Sequence, residues 1–219
     1  MKIEVLPEQK GYVTLLMQRG ESLKASLIEE VFSTSNWFNR LREYFPEREM
    51  KSKEHFEILF QEQAMYQLME GPDYIVVYFE QQDYIFIDYI LVSGTNRGKG
   101  VGSIVLNELK SKGKAIILEV EPICMDDPDS EKRVRFYERH NFEKMDIGYE
   151  RIHNVTSELN KMDIYCWSQS PVSEKWVLDR MKEIYTEVHA YKVKEIYGRN
   201  PQPVSEVLWL KGSIEKLAQ

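Results

Sequence analysis

Three glycines at alternate positions, Gly98, Gly100 and Gly102, stand where an amphipathic helix begins, and Ile104, Val105 and Leu109 recur behind them at helical spacing. Glycine has no side chain to cover nearby amides. The turn therefore leaves N–H groups open at the positive end of a helix dipole, which makes a site for a phosphate or pyrophosphate. Spacing decides which kind. A P-loop needs G-x-x-x-x-G-K-[ST], but Lys99 is followed by Gly100, and Gly94 is one residue out of place. The dinucleotide fingerprint needs G-x-G-x-x-G, whereas these glycines give G-x-G-x-G. Without further context, the turn can also be a strand-to-helix connection with no ligand. A second set of residues could move protons: Asp88 and Glu119 are carboxylates inside apolar runs. A carboxylate within a strand is costly unless paired, so each also has a plain reading as a group that reaches solvent or a salt bridge.

The elements that must position these groups are two strand–helix units. Tyr84 to Val92 is rich in aromatic and β-branched residues, as suits a strand, and Ser93 to Asn96 is turn chemistry. By two-residue alternation Asp88 shares a face with Ile90 and Val92. Ala115 to Glu121 (AIILEVE) is a second strand, Ser130 to His140 a second helix, and Asn141-Phe142 follows. A strand ending in Leu91-Val92 and then R-x-x-G-x-G, from Arg97 to Gly102, resembles the coenzyme A-binding motif of GNAT-type N-acetyltransferases. The second unit, ending F-Y-E-R-H-N-F, is similar to that family's F-Y-x-x-x-G-F. Asn141 replaces the family's glycine, a mild departure because Asn tolerates the left-handed conformation at a helix C-terminus. Many members also carry an asparagine shortly after the second strand, and here that loop reads Pro122 to Asp129 without one. The resemblance spans roughly residues 74–167.

The resemblance implies an α/β fold: a GNAT-like mixed, mostly antiparallel sheet flanked by helices, where the residue patterns alone show only alternating strands and helices. It implies acetyl-coenzyme A as co-substrate and direct attack of an amine on the thioester carbonyl. It implies that the backbone near Leu91 and Val92 bonds the pantetheine arm, and that backbone donors of Arg97, Gly98, Lys99, Gly100, Val101 and Gly102 hold the pyrophosphate. It also puts the Tyr137 hydroxyl beside the coenzyme A sulfur, against the reading of Tyr137 as a core aromatic next to Phe136. The harder proton problem is the acceptor. An amine with a lysine-like pKa of ~10.4 is protonated at neutral pH, and freeing it costs roughly 4–5 kcal/mol, while a departing thiolate near ~8.5 needs less help. Asp88 is the first candidate for the base and Glu119 the second, with Glu121 on the same face as Glu119. Two other classes stay open: a non-catalytic acyl-coenzyme A-binding sensor or partner-binding protein, and a phosphate-binding α/β domain of another kind.

The remainder of the chain sets bounds. Its 219 residues, 42% hydrophobic, are enough for one cored domain with an appendage. A net charge of −7 argues against nucleic acid as a partner and leaves room for a cationic small-molecule or peptide amine. No stretch reaches the apolar length of a membrane span, the first residues lack the apolar middle of a signal peptide, and Cys124 and Cys166 are too few for a disulfide framework; the expected location is cytoplasmic. His55, His140, His153 and His189 have no metal-ligand spacing and read as structural or solvent-facing, so no metal is expected. The acidic loop Asp126 to Ser130 suits N-capping of the helix that carries Tyr137, or attraction of a basic substrate. Residues 1–168 are read as the acetyltransferase-like domain and 169–219 as a C-terminal helical extension. One long helix is expected from Ser173 to Tyr197, and an edge strand or docking segment over Val207 to Leu210. The extension's aromatic face is left to pack either on the domain or against a second copy in a homodimer. Phe142 to Ile152 and Lys161 to Trp167 are read as paired strands.

Overall fold

The computed structural model describes residues 13–14, 36–93 and 100–213. Residues 94–99, which include Arg97, Gly98 and Lys99 of the glycine turn, lie outside the described residues. The elements in chain order are β1 (Val13–Thr14), α1 (Trp37–Tyr44), a 3-10 turn (Glu47–Glu49), α2 (Lys53–Glu62), β2 (Tyr66–Gly71), β3 (Tyr74–Glu80) and β4 (Tyr84–Val92). Then follow α3 (Val101–Ser111), β5 (Ala115–Val120), α4 (Pro128–Arg139), β6 (Glu143–Lys144), β7 (Ile147–Ile152), β8 (Leu159–Lys161) and β9 (Asp163–Trp167). The C-terminal part adds α5 (Glu174–Ile184), a π turn (Tyr185–His189), α6 (Val193–Tyr197), α7 (Val204–Val207) and β10 (Leu208–Leu210).

Among the described residues the main sheet runs β1-β2-β3-β4-β5-β9-β6, and a smaller one runs β10-β7-β8. Every pairing is antiparallel except β4 with β5, which the crossover helix α3 makes parallel. The two faces of the main sheet are covered differently. Ile85, Ile87, Ile116 and Leu118 pack with Val105, Leu106 and Leu109 of α3 and with Val134 and Tyr137 of α4. Tyr84, Phe86, Tyr89, Leu91 and Ile117 pack on the other face with residues of α1, α2 and α5, including Trp37, Leu41, Phe56, Val177 and Met181. This is a mixed α/β architecture with a mostly antiparallel sheet flanked by helices. Among the described residues no helix is long and apolar enough to cross a membrane.

Two sequence expectations are corrected and a third is refined. Asp88 does not share a face with Ile90. Val77 pairs with Tyr89 and Tyr78 with Ile87, so Asp88 is an extra residue, a β-bulge that reverses the alternation. Tyr84 and Phe86 before it and Tyr89 and Leu91 after it therefore share one core, with Ile85, Ile87 and Ile90 in the other. Residues 173–197 are not one helix. The amide of Ala190 bonds the carbonyl of Tyr185, five residues back, and Lys192 then takes a left-handed φ of 50°. Finally, the expected pairing of residues 142–152 with 161–167 is present, but each stretch is split in two: β6 pairs with β9 and β7 with β8, while β10 takes the other side of β7, which makes Leu208–Leu210 an edge strand.

Candidate active site

The pairing of β4 with β5 runs from Tyr84↔Ala115 to Ile87↔Leu118 and stops there, although β4 continues to Val92 and β5 to Val120. The bulge at Asp88 bends β4 at the point of parting. A parted parallel pair leaves a row of main-chain donors and acceptors on each strand for another partner. Leu91 and Val92 lie on that stretch of β4. A cleft of about 710 Å³ opens at the gap, lined by Asp88 and Ile90 on one strand, Glu119 and Glu121 on the other, and Tyr137 from α4.

On one side of the sheet, α3 and α4 are locked together where α3 begins. Gly100 is the N-cap of α3 with φ 86°, a left-handed conformation that favours glycine, and its carbonyl accepts the amide of Ile104. The amides of Val101 and Gly102 have no partner within the helix and point out of its start. At Gly102, a Cβ would lie 3.0 Å from Phe136 Cζ of α4, so this glycine also serves the close packing of the two helices. His140, at the end of α4, holds Ser103 Oγ at 2.9 Å through Nε2 and the carbonyl of Phe136 at 2.8 Å through Nδ1. Asp127 caps α4 by accepting the amide of Asp129, with Pro128 as the first helical residue. Asn141 has φ 58°, the left-handed value expected of it. Tyr137 is packed edge-on against Phe136 and Phe142, and burial raises its pKa above the ordinary phenol value, so the hydroxyl keeps its proton.

The other side of the sheet carries a cluster of charged groups. Asp88 accepts from Lys51 Nζ at 2.7 Å on both oxygens and from the Tyr66 hydroxyl at 2.5 Å. Burial lowers the Lys51 pKa, and the facing carboxylate opposes that shift. Glu119 meets His189 Nε2 at 2.8 Å. Burial alone would keep Glu119 protonated, but His189 and the charges of Arg151 and Lys51 outweigh it and hold its pKa at about 2. Burial pushes the His189 pKa down and the facing Glu119 charge opposes that shift, with Nε2 donating to the carboxylate. Arg151 Nε donates to the Tyr149 hydroxyl at 2.9 Å. Asp88 and Glu119 thus both reach the cleft, yet each is committed to a cation or a donor, on the face of the sheet opposite to Tyr137.

A third carboxylate differs. Glu49, in the 3-10 turn after α1, lines the same cleft. Burial first, then the negative charge of Glu121 and a hydrogen bond to it, raise the Glu49 pKa to about 7, against the opposing pull of Arg133 and Arg48. Arg133 Nη2 lies 2.8 Å from Glu121 Oε2 and 2.8 Å from Asp127 Oδ2. The turn is held in place from β4: the Tyr89 hydroxyl donates to the Glu49 carbonyl at 2.8 Å and accepts the Lys51 amide at 3.1 Å. Glu49, Lys51, Arg151 and His189 escaped sequence reasoning. They come from a short turn, from β7 and from the C-terminal π turn, and the nearest signal was a charged or polar residue interrupting an apolar run.

No family model matches the chain. It is 45% identical over 175 residues to the Bacillus subtilis (strain 168) protein named "Putative acetyltransferase YjbC", a match that covers 79% of this chain and 91% of that protein. Among solved structures it is similar to one described as a GNAT-family acetyltransferase from Bacteroides thetaiotaomicron, with a TM-score of 0.58 and 18% identity over 82% of this chain and 95% of that one. The second likeness bears on the fold alone.

Proposed function

This chain belongs to the GNAT-type acetyltransferase family, and from that membership we propose how its cleft moves an acetyl group from acetyl-coenzyme A to an amine acceptor. The observation that carries the reading is the parting of β4 and β5 at Ile87↔Leu118, beside the Asp88 bulge and within one cleft with Tyr137. The main-chain groups of Leu91 and Val92 suit the amides of an extended pantetheine arm. The open amides at the start of α3, from Val101 and Gly102, suit the pyrophosphate. Gly100 gives that start its left-handed entry, and Arg97, Gly98 and Lys99 join the phosphate contact on the family motif alone.

The reaction has a definite proton balance. An ammonium acceptor loses one proton to become nucleophilic, its nitrogen forms a bond to the thioester carbonyl carbon, and the C–S bond breaks. The second nitrogen proton is lost as the amide forms, and the thiolate takes one up. Tyr137 holds its proton too tightly to give it up to a thiolate outright. Its role is to donate a hydrogen bond to the sulfur as negative charge develops there, an interaction stronger in the transition state than in the ground state. Asp88, saturated by Lys51 and Tyr66, is read as the fastener of the bulge, and Glu119 as a fixed negative charge for the acceptor ammonium. The test is release of coenzyme A thiol from acetyl-coenzyme A by the purified chain, with and without a panel of primary amines: lysine, spermine and an unblocked tripeptide. Amine-dependent release is expected. Tight coenzyme A binding with no release for any amine would favour a non-catalytic sensor instead.

A further inference from the structure

The two carboxylates that sequence reasoning favoured as bases are held in short hydrogen bonds, whereas Glu49, in the same cleft, has one ion pair among the described residues, with Arg48 Nε at 4.0 Å. We propose that Glu49 is the general base for the acceptor amine, working beside Glu121 in the cleft that Tyr137 also lines. The proposal rests on the acetyl-transfer reading of this cleft.

Geometry supports it in three ways. First, the turn that carries Glu49 is fixed beside the bulge, since the Glu49 carbonyl accepts from the hydroxyl of Tyr89, the residue that follows Asp88, and Glu49 lines the cleft. Secondly, its partner Glu121 lies just past the free end of β5 and is tied to Arg133 of α4, one helical turn before Tyr137. The pair therefore links the acceptor face of the sheet to the helix that carries the sulfur-side donor. Thirdly, the competing carboxylates have other partners. Asp88 is closed by Lys51 and Tyr66, and Glu119 is held ionised by Arg151, Lys51 and its bond to His189, which makes it too weak a base.

The charged groups that face Glu49 are Glu121 from the end of β5, Arg133 from α4 with Asp127 behind it, and Arg48 from its own turn. Burial and the negative charge of Glu121 hold the Glu49 proton to near neutrality. A base poised there is ionised for part of the population at working pH and still strong enough to take a proton from an ammonium. In one cleft, then, Glu119 stays charged and Glu49 exchanges a proton, the separation of roles expected when two like groups have their pKa values driven apart. Proton transfer is from the acceptor R–NH3+ to the Glu49 carboxylate, which releases it to water before the next cycle.

The experiment compares the full chain with Glu49→Gln and Glu121→Gln, using acetyl-coenzyme A and whichever amine of the panel above supports turnover. Glu49→Gln is expected to lower kcat about 100-fold or more, with coenzyme A affinity retained and the acidic limb of the kcat profile near pH 7 abolished. Glu121→Gln is expected to keep that limb and move it to lower pH, because a like charge is removed and Arg133 is freed toward Glu49. An infrared titration of the parent minus Glu49→Gln, which needs no turnover, should show one carboxyl ionising near pH 7. Turnover and an acidic limb unchanged in Glu49→Gln would overturn the proposal and leave acetyl transfer intact. Parent chain that binds coenzyme A but acetylates no amine would overturn the acetyl-transfer reading, and the catalytic role of Glu49 with it, even if the infrared titration appears.

Discussion

Glu49 and Glu119 are the same amino acid in one cleft, and their surroundings drive them in opposite directions. The linkage that follows has a sign that can be checked. The Glu49 pKa is higher in the folded chain, about 7, than the ordinary 4.5. Its contribution to stability is therefore present below pH ~4.5 and lost as pH rises through ~7, a change on the order of 3 kcal/mol. Glu49→Gln is expected to match the parent in stability at pH 4.5 and exceed it at pH 8, measured by urea unfolding at the two pH values. An equal difference at both would show that Glu49 is not held protonated by the fold. Glu119 has the reverse sign: its pKa is depressed to about 2, so its contribution is present above pH ~4.5 and lost as pH falls toward 2. At Tyr137, removal of the hydroxyl alone tests the sulfur-side role. Tyr137→Phe should lower kcat by about 10- to 1,000-fold and leave coenzyme A affinity nearly unchanged by calorimetry. An unchanged kcat would return Tyr137 to the packing of Phe136 and Phe142.

At the scale of elements, the start of α3 answers to two demands. In the proposed site its amides stay open to the pyrophosphate, and its first turn lies close against α4. Gly100 meets the first through a left-handed φ, and a Cβ there would touch nothing within 4 Å. Gly102 meets the second, with Phe136 Cζ 3.0 Å from the place of a Cβ. Gly102→Val is therefore expected to overpack the α3–α4 contact and cost about 1–3 kcal/mol. Gly100→Ala should cost about 1–2 kcal/mol of backbone strain while leaving the helices in place. Urea midpoints of the two variants check this, and no shift for Gly102→Val would mean that the Phe136 ring turns aside freely. The π turn is the matching device on the other face. Its wider turn brings the buried His189 ring to Glu119 and against Phe86.

For the molecule as a whole, the C-terminal region belongs to the same energetics as the site. Val177, Leu178, Met181 and Ile184 of α5 are buried in one core with Phe86 and Ile117, and Leu208 of β10 lies in it too. Burial of each such aliphatic side chain is worth about 1.5–3 kcal/mol, so the four of α5 together contribute about 6–12 kcal/mol. That is comparable to the whole net stability of a typical domain, about 5–15 kcal/mol. A chain ending at Ser168 is therefore expected to show no cooperative melting transition by near-ultraviolet circular dichroism. A truncated chain that melts cooperatively near the parent temperature would mean that the core closes without α5. It would still lack His189, so its turnover would report separately on the support of Glu119.

What the sequence determined by itself was local. The aromatic and β-branched runs of β4 and β5, the glycine entry to α3, the Asp127-Pro128 start of α4 and the left-handed Asn141 all follow from interactions within a few residues. These same segments carry the family motif, which is why the helix start proposed to hold coenzyme A was legible. The acceptor side was not. Alternation put Asp88 on the wrong face because a bulge is one extra residue, visible only when β3 is laid beside β4. Helical periodicity ran through residues 185–189 without marking the π turn that delivers His189. Glu49 carried no local signal, because its ionisation depends on Glu121 and Arg133, distant in sequence and brought near by the packing of β5 and α4. Backbone conformation responds to neighbours along the chain, whereas burial and charge act through space. The protonation states that decide the chemistry were therefore settled by the tertiary structure.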